Sequence, residues 1–264
     1  MIDPWVAGQK ACIKVEKTLH SETSEYQKIE VFQTKEYGRM LVLDGAIQLT
    51  ERDEFSYHEM MAGVPINAHH NPRRVLIIGG GDGGVVREIL RYPNVDSVTM
   101  CELDPRVTAV SRAFFNTNSL YPKRDGVGSQ LDNENLEVVH KDGFKFLKTQ
   151  SDGNFDVIVV DSSDPVGPAE VLYSSEFYQE CARVLGPGGV LATQGECPWI
   201  HTEEITKIMG NLKAAFPLEV DYANFSVPTY PSGCIGIALG CKARPGYKAS
   251  VLAGLDPAKR ETIL

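Results

Sequence analysis

The sequence lacks the features that mark membrane, secreted and nucleic-acid-binding proteins. No uninterrupted apolar run is long enough to span a bilayer, and the N-terminus shows no basic segment followed by an apolar one. Basic residues are the minority, with 26 Lys and Arg against 35 Asp and Glu and a net charge of −9. Because nucleic acids and anionic membranes select basic surfaces, we expect neither as a partner, and we expect a cytoplasmic location.

Paired cysteine motifs are also missing. The six cysteines form no Cys-x-x-Cys pair and no metal-ligand spacing, and several lie inside apolar runs. We therefore expect free, mostly buried thiols in a reducing compartment. The chain contains no internal repeat, and its 264 residues suffice for one large domain or one domain with a small appendage.

Residues 1–53 predict a small N-terminal antiparallel β domain. Turn signals at Tyr37-Gly38 and Asp44-Gly45 fall between or within the strand-like runs. Those runs are Ala11–Leu19, Lys28–Gln33 and Arg39–Gln48. A helix is predicted at Glu54–Ala62, and it opens the second part of the chain, residues 54–264.

After Asn71-Pro72 the pattern changes to alternating strands and helices, which predicts an α/β fold with a parallel sheet. The predicted strands are Arg74–Ile78, Ser97–Glu102, Leu136–His140, Phe155–Val160 and Gly189–Thr193. Two more, Glu219–Ser226 and Cys234–Gly240, follow in succession as a terminal antiparallel hairpin. This seven-stranded mixed sheet resembles the methyltransferase-like Rossmann fold rather than the ordinary dinucleotide fold, which continues to a sixth parallel strand.

A glycine-rich loop follows the first of these strands. Five glycines surround one aspartate between Gly79 and Gly84, which predicts a tight turn that approaches a ligand closely. Gly79, Gly81 and Gly84 fit the G-x-G-x-x-G spacing, which alone is weak support for a dinucleotide site. Because Asp82 would repel a pyrophosphate, the loop favours a nucleoside that carries positive charge.

Each of the five predicted parallel strands ends in an acid or an amide. Ligands of open α/β sheets bind outside these strand ends, so we expect the side chains to share one pocket. They are Asp82, Glu102, Asp142, the pair Asp161 and Asp164, and Gln194 with Glu196. Glu102 is placed to bind ribose hydroxyls, and Asp142 could accept from an adenine amino group. A single acid of this kind could equally cap a helix or form a turn.

Asp161 and Asp164 form the most informative pair. Asp161 ends a strongly apolar strand, so part of it should be sheltered from water. Two carboxylates at a sheltered site suit the binding of an ammonium group and the removal of its proton. Crowding of the two acids can raise the pKa of one of them, which helps it to act as a base.

Several motifs are similar to the signatures of spermidine synthases. They are Leu43–Gln48, Thr50–Tyr57, Gly79–Gly84, Asp161–Glu170 and Pro228–Gly233, and the resemblance runs from about Val15 to Gly240. It implies transfer of an aminopropyl group from decarboxylated S-adenosylmethionine to putrescine, which gives spermidine and 5′-methylthioadenosine. The donor is a co-substrate, and the resemblance implies neither a cofactor nor a metal.

The resemblance also implies site residues. Asp161 is the general base, and Tyr57 assists it through its hydroxyl. The donor is bound by Gln27, Gln48, His58, Gly79, Gly81, Asp82, Glu102, Asp142, Gly143 and Asp161. Putrescine is bound by Asp164, Gln194, Tyr230, Tyr57 and Trp5. His58 departs from the glutamine that many relatives carry, so we expect a neighbour of the donor with a modest effect.

Alternatives stay open at this point. The same scaffold could serve a putrescine N-methyltransferase that uses intact S-adenosylmethionine, or a silent paralogue that binds nucleoside or polyamine and regulates a partner. Asp82 argues against the first, because it would repel the carboxylate of the intact donor. The acceptor could also be a longer amine. The family usually forms dimers or tetramers, and the edges of the N-terminal strands need cover, so we expect a homodimer or homotetramer.

Overall fold

The N-terminal sheet has four strands in an antiparallel meander. The computed structural model describes residues 12–115, 130–165 and 167–242. The strands, paired in chain order, are β1 (Val15–Thr23), β2 (Lys28–Thr34), β3 (Arg39–Leu43) and β4 (Ala46–Thr50). One face of this sheet packs its apolar side chains on helix α3, introduced below. The expected small antiparallel β domain is therefore present.

The run Arg39–Gln48, predicted as one strand, is two strands, and that prediction was wrong. Asp44 and Gly45 have φ angles of 47° and 89°, and Leu43 pairs with Ala46 across them. Two successive positive φ angles make the tight turn of a hairpin, so the Asp-Gly signal ends one strand and begins the next. The first strand starts at Val15 rather than Ala11 and extends to Thr23.

The second sheet has seven strands in the order β10-β11-β9-β8-β5-β6-β7. The strands β5 to β9 are parallel, and β11 runs antiparallel to both β9 and β10. Their bounds are β5 (Arg74–Gly79), β6 (Ser97–Glu102), β7 (Leu136–His140), β8 (Phe155–Asp161), β9 (Leu185–Gln194), β10 (Glu219–Ser226) and β11 (Cys234–Cys241). This confirms the methyltransferase-like Rossmann fold.

Helices cover both faces of this sheet. They are α1 (Glu54–Ala68), α2 (Gly84–Ile89), α3 (Pro105–Phe114), α4 (Gly143–Lys148), α5 (Ser175–Val184) and α6 (Thr202–Ala215). Alternate residues of β5 serve opposite faces: Val75 and Ile77 pack with α1 and α2, whereas Leu76 and Ile78 pack with α4, α5 and α6. No helix in the described ranges is long and apolar enough to cross a membrane.

Helix α1 is longer than predicted. It was expected to end at Ala62 and instead continues to Ala68 with Pro65 inside it. Pro65 and Ile66 are both buried, and Ile66 joins the core beside Val75. The gain from this burial outweighs the missing proline N–H, which a sequence pattern alone does not show.

The ligand edge follows from the strand order. Strand β5 lies between β8 and β6, so the sheet grows in opposite directions from β5. The loops that leave β5 and β8 diverge there and open a crevice at the carboxyl ends of the strands. All of the acids predicted from strand ends lie on that edge.

Candidate active site

A cavity of about 370 Å³ opens at the switch in strand order. It is lined by the strand ends of the large sheet and by residues of the N-terminal sheet and α1. Among the lining residues are Gln27, Gln48, Tyr57, His58, Gly79, Gly81, Asp82, Glu102, Asp142, Gly143, Asp161, Asp164, Gln194 and Tyr230. The structure thus brings together every site residue predicted from the sequence except Trp5, which lies outside the described residues.

Several glycines of the loop between Gly79 and Gly84 lie so close to other groups that a side chain would not fit. Gly79 has a φ of 83°, and a Cβ there would lie 2.0 Å from the carbonyl oxygen of Asp161. A Cβ on Gly81 would lie 2.7 Å from Oε2 of Glu102. Gly84 has an ordinary φ, but a Cβ on it would overlap the imidazole ring of His58. The loop therefore lies close against the acidic ends of β8 and β6 and against His58 on α1.

We expect Gly84→Ala to destabilise the protein by about 1–3 kcal/mol, because the new methyl group would overpack a full ring. Its Cβ would lie 2.1 to 2.4 Å from three ring atoms of His58, whose side chain is 3% exposed. Denaturant unfolding measures the change. Gly210→Ala on α6 is the matched control, because nothing lies within 4 Å of its Cβ. It should be neutral or stabilising by about 1 kcal/mol.

Asp161 and Tyr57 form the centre of the site. The Tyr57 hydroxyl donates to Oδ1 of Asp161 at 2.7 Å, whereas Oδ2 is buried and no group in the described part of the chain bonds to it. Burial and the charge of Asp82 raise the pKa of Asp161 to about 7, although His58 and the Tyr57 bond oppose this. Burial also raises the pKa of Tyr57, so its hydroxyl stays protonated as a donor.

Asp82 is held from two sides. Its Oδ1 accepts the backbone N–H of Gly84 at 2.6 Å and lies 3.3 Å from Nε2 of His58. Burial raises the pKa of Asp82, but the charge and hydrogen bond of His58 outweigh burial and lower it overall. His58 therefore lies beside a carboxylate of the cavity wall, where the sequence predicted a donor neighbour.

Glu102 and Asp142 both line the cavity, and both carboxylates accept hydrogen bonds from backbone N–H groups. Glu102 accepts the N–H groups of Gly81 and Asp104 at 3.1 and 2.9 Å, and burial raises its pKa to about 7 against these bonds. Asp104, rather than Glu102, caps α3 by accepting from Arg106. Asp142 does cap α4, and it lines the cavity as well, so a capping role does not remove it from the cavity wall.

The opposite end of the cavity contains a chain of polar contacts. Nε2 of Gln194 donates to Oδ1 of Asp164 at 3.2 Å, and the Tyr173 hydroxyl donates to Oε1 of Gln194 at 3.0 Å. The Tyr230 hydroxyl donates to the carbonyl oxygen of Gln48 at 2.6 Å, which ties the loop before β11 to the N-terminal sheet. Gln27 ties the same sheet to the end of β6 through Asp104 at 3.1 Å.

Sequence reasoning placed Glu196 at a strand end but missed three residues near the site, Glu54, Arg87 and His201. Glu196 has a φ of 62°, is 1% exposed and lies 2.7 Å from Nδ1 of His201. Glu54 and Arg87 form an ion pair behind His58. The i,i+4 spacing of Glu54 and His58 was a usable signal for Glu54. Arg87 gave no local signal, because its partner Glu54 is 33 positions away in sequence. His201 follows Glu196 by five positions in a loop, a spacing that is not a recognised contact pattern.

No group of three or more His, Cys, Asp or Glu side chains with suitable placement occurs among residues 12–115, 130–165 and 167–242. The described cysteines are free thiols, and most of them are buried.

Comparisons with known proteins agree with this geometry. Residues 54–248 match the family model described as spermine/spermidine synthase domain, and residues 2–51 match the spermidine synthase tetramerisation domain. Spermidine synthase 1 of Hyoscyamus niger is 45% identical over 238 residues, covering 90% of this chain and 73% of that relative. Spermidine synthase 2 of Arabidopsis thaliana is 43% identical over 90% of this chain and 67% of its own length.

Solved structures give the same result. A spermidine synthase in complex with the transition state analogue AdoDATO superposes with a TM-score of 0.84 at 32% identity, covering 94% of this chain and 79% of that one. The enzyme from Thermotoga maritima gives a TM-score of 0.82 at 32% identity over 94% and 78% of the two chains. Sequence, fold and cavity together show that the chain belongs to the spermine/spermidine synthase family.

Proposed function

We propose that the chain transfers the aminopropyl group of decarboxylated S-adenosylmethionine to putrescine, giving spermidine and 5′-methylthioadenosine. Family membership supports this reaction. The observation that carries the mechanism is the state of Asp161, a sheltered carboxylate with a raised pKa. One of its oxygens accepts a hydrogen bond from Tyr57, and the other is buried and has no partner among the described residues. Such an oxygen suits a transient ammonium ligand and its proton.

The donor would occupy the half of the cavity beneath the glycine loop. In this proposal Glu102 binds the ribose hydroxyls and Asp142, followed by Gly143, binds the adenine amino group. Gln27 and Gln48 contact the donor from the N-terminal sheet, and Gly79 and Gly81 allow its close approach. Asp82 and Asp161 hold the primary ammonium of the aminopropyl arm, with His58 as the neighbour of Asp82.

Putrescine would enter from the end that holds Asp164, Gln194 and Tyr230. Asp164 binds one ammonium group, and Gln194 fixes the Asp164 carboxylate through its amide. The second amine then lies near Asp161 and Tyr57. We also place Trp5 in the putrescine site, on the resemblance alone.

The chemical step is an in-line displacement. Asp161, assisted by the Tyr57 hydroxyl, takes a proton from the attacking ammonium, and the freed nitrogen lone pair forms a bond to the methylene carbon beside the sulfonium. The carbon–sulfur bond breaks, its electron pair returns to sulfur, and neutral 5′-methylthioadenosine leaves. The positive charge passes to the new secondary amine. The protein contributes proton removal and alignment, and the sulfonium already supplies a good leaving group.

We further propose that residues 1–53 and 54–264 act as an N-terminal β domain and a catalytic domain. The match of residues 2–51 to a tetramerisation domain supports an oligomer, which we take to be a homodimer or homotetramer. The net charge of −9 supports a cytoplasmic enzyme without nucleic acid or membrane partners. We propose that neither a cofactor nor a metal takes part.

Turnover with two donors and several acceptors tests the function. Decarboxylated and intact S-adenosylmethionine are each paired with putrescine, cadaverine and spermidine, and mass spectrometry identifies the products. We expect spermidine from the decarboxylated donor and putrescine, with the same rate after chelator treatment. Methylated putrescine from the intact donor would establish the methyltransferase alternative instead. Donor binding without turnover in any pairing would favour the silent paralogue.

A further inference from the structure

Glu54 and Arg87 form a partly buried ion pair outside the cavity that the reaction above does not use. Glu54 accepts from both terminal nitrogens of Arg87, at 3.0 and 2.8 Å, and its side chain is 9% exposed. Burial alone raises the pKa of Glu54, but the contacts with His58 and Arg87 outweigh it and lower the pKa below its ordinary value. Glu54 is therefore an ionised carboxylate inside the protein.

His58 lies between this carboxylate and that of Asp82. Its Nδ1 is 2.5 Å from Oε2 of Glu54, and its Nε2 is 3.3 Å from Oδ1 of Asp82. A neutral imidazole has one N–H and would turn a lone pair towards the second carboxylate. Two ionised neighbours therefore require a proton on both ring nitrogens. Close packing against Gly84 keeps the ring in this orientation.

We propose that Glu54, fixed by Arg87, is a positioning residue for the transfer reaction: it keeps His58 as an imidazolium that holds Asp82 and balances the negative charge beside Asp161. Neither Glu54 nor Arg87 lines the cavity, so both act through His58. The inference rests on the proposed function, because it defines the role of the pair by the base Asp161.

The charges around the site give this arrangement a measurable consequence. Burial lowers the pKa of His58, but Asp82 and Glu54 outweigh it and raise it to about 10. His58 in turn lowers the pKa of Asp161, against burial and Asp82. The other titratable groups that face this cluster are Tyr57 on α1, Arg87 and Glu88 on α2, Glu102 at the end of β6 and Tyr230 before β11. Loss of the imidazolium charge would therefore raise the pKa of Asp161 further.

Glu54→Gln tests the inference through the pH profile of kcat/KM, which reports the pKa of the base in the free enzyme. A base with a higher pKa stays protonated to a higher pH, so the rising limb of the profile should move up. We expect a move of about one pH unit, which is the smaller end of the pKa shift that one nearby charge causes. The rate on the high-pH plateau should change little. Glu59→Gln is the matched control, because Glu59 lies on the same helix with its side chain 42% exposed. Its profile should match that of the unmodified enzyme.

A purely structural role for Glu54 would lower the rate at every pH without moving the limb, and that result would overturn the inference. So would an unchanged profile. If Glu54→Gln fails to fold, the protonation state of His58 in the unmodified protein decides. ¹⁵N NMR of histidine-labelled enzyme, assigned by comparison with His58→Gln, should show both ring nitrogens protonated well above neutral pH. A neutral His58 ring at neutral pH would contradict the proposal.

The NMR experiment needs no substrate, so the two proposals fail separately. An imidazolium at His58 together with no spermidine in the turnover experiment would remove the proposed function and leave the charge arrangement in place. A neutral ring together with spermidine formation would remove the role of Glu54 and leave the function.

Discussion

Asp161→Asn is expected to lower kcat by about 10²- to 10⁴-fold, the usual contribution of a general base. Asparagine keeps the shape of the side chain and can still accept from Tyr57, but it cannot take a proton from the attacking amine. Because the loss falls on the proton-transfer step, kcat should fall far more than the KM for either substrate rises.

The pH dependence identifies the base independently. The pKa of Asp161 is raised to about 7 by burial and by Asp82, so in the unmodified enzyme kcat/KM should rise with pH through this value. Asp161→Asn should lose this limb. The pKa of Asp161 is higher in the folded than in the unfolded state, so ionisation of this carboxyl group destabilises the fold at pH values above its unfolded-state pKa. A neutral amide avoids that cost, so the thermal stability of Asp161→Asn should not fall.

Asp152→Asn is the matched control for this variant. Asp152 precedes β8, its side chain is 80% exposed and its partner is Arg183 on the surface. The substitution changes charge by the same amount far from the cavity, so kcat should stay unchanged. Normal turnover by Asp161→Asn, with the product verified, would show that another group is the base.

Asp82→Asn is expected to reduce kcat/KM for decarboxylated S-adenosylmethionine by about 10- to 100-fold, the range that corresponds to one charged hydrogen bond. The asparagine oxygen can still accept the N–H of Gly84, so the loop should keep its shape. The ammonium of the donor loses one of its two proposed carboxylate partners, whereas Asp161 remains.

The same substitution should weaken donor discrimination. The carboxylate of intact S-adenosylmethionine would meet Asp82 at short range, with a repulsion on the order of several kcal/mol in a partly desolvated cavity. Competition binding of the two donors measures the ratio of their affinities, which should shrink in Asp82→Asn. Asp96→Asn, whose side chain is 62% exposed and pairs with Arg73, should leave the ratio unchanged. A constant ratio in Asp82→Asn would place the discrimination elsewhere.

The sequence predicted the fold and the strand-end acids of the cavity because these depend on local signals. Strand ends, the glycine run and the Asp-Gly turns follow from residue type and period, and parallel strands deliver their ends to one edge. The turn at Asp44-Gly45 was recognised, but it was placed within a strand, because the apolar pattern continues on both sides of it. Helix α1 continues past Ala62 because Ile66 joins the core, which is a tertiary effect.

The rest of the site depends on contacts between distant residues. Arg87 meets Glu54 across 33 positions of sequence. Gly84 resembled a conventional loop glycine, whereas the structure shows that its missing side chain makes room for His58. The protonation of His58 follows only when both of its carboxylate neighbours are known.

The contacts between the N-terminal sheet and the large sheet link assembly to ligand affinity. Gln27 and Gln48 supply part of the cavity wall, the Gln48 carbonyl accepts from Tyr230, and Asp53 accepts from the backbone and side chain of Thr229 in the same loop. If the N-terminal strands join subunits, as we propose, every bond that steadies those strands also steadies the cavity wall. By mass action, donor binding should then tighten subunit association, and dilution of the oligomer should weaken donor binding by the same factor.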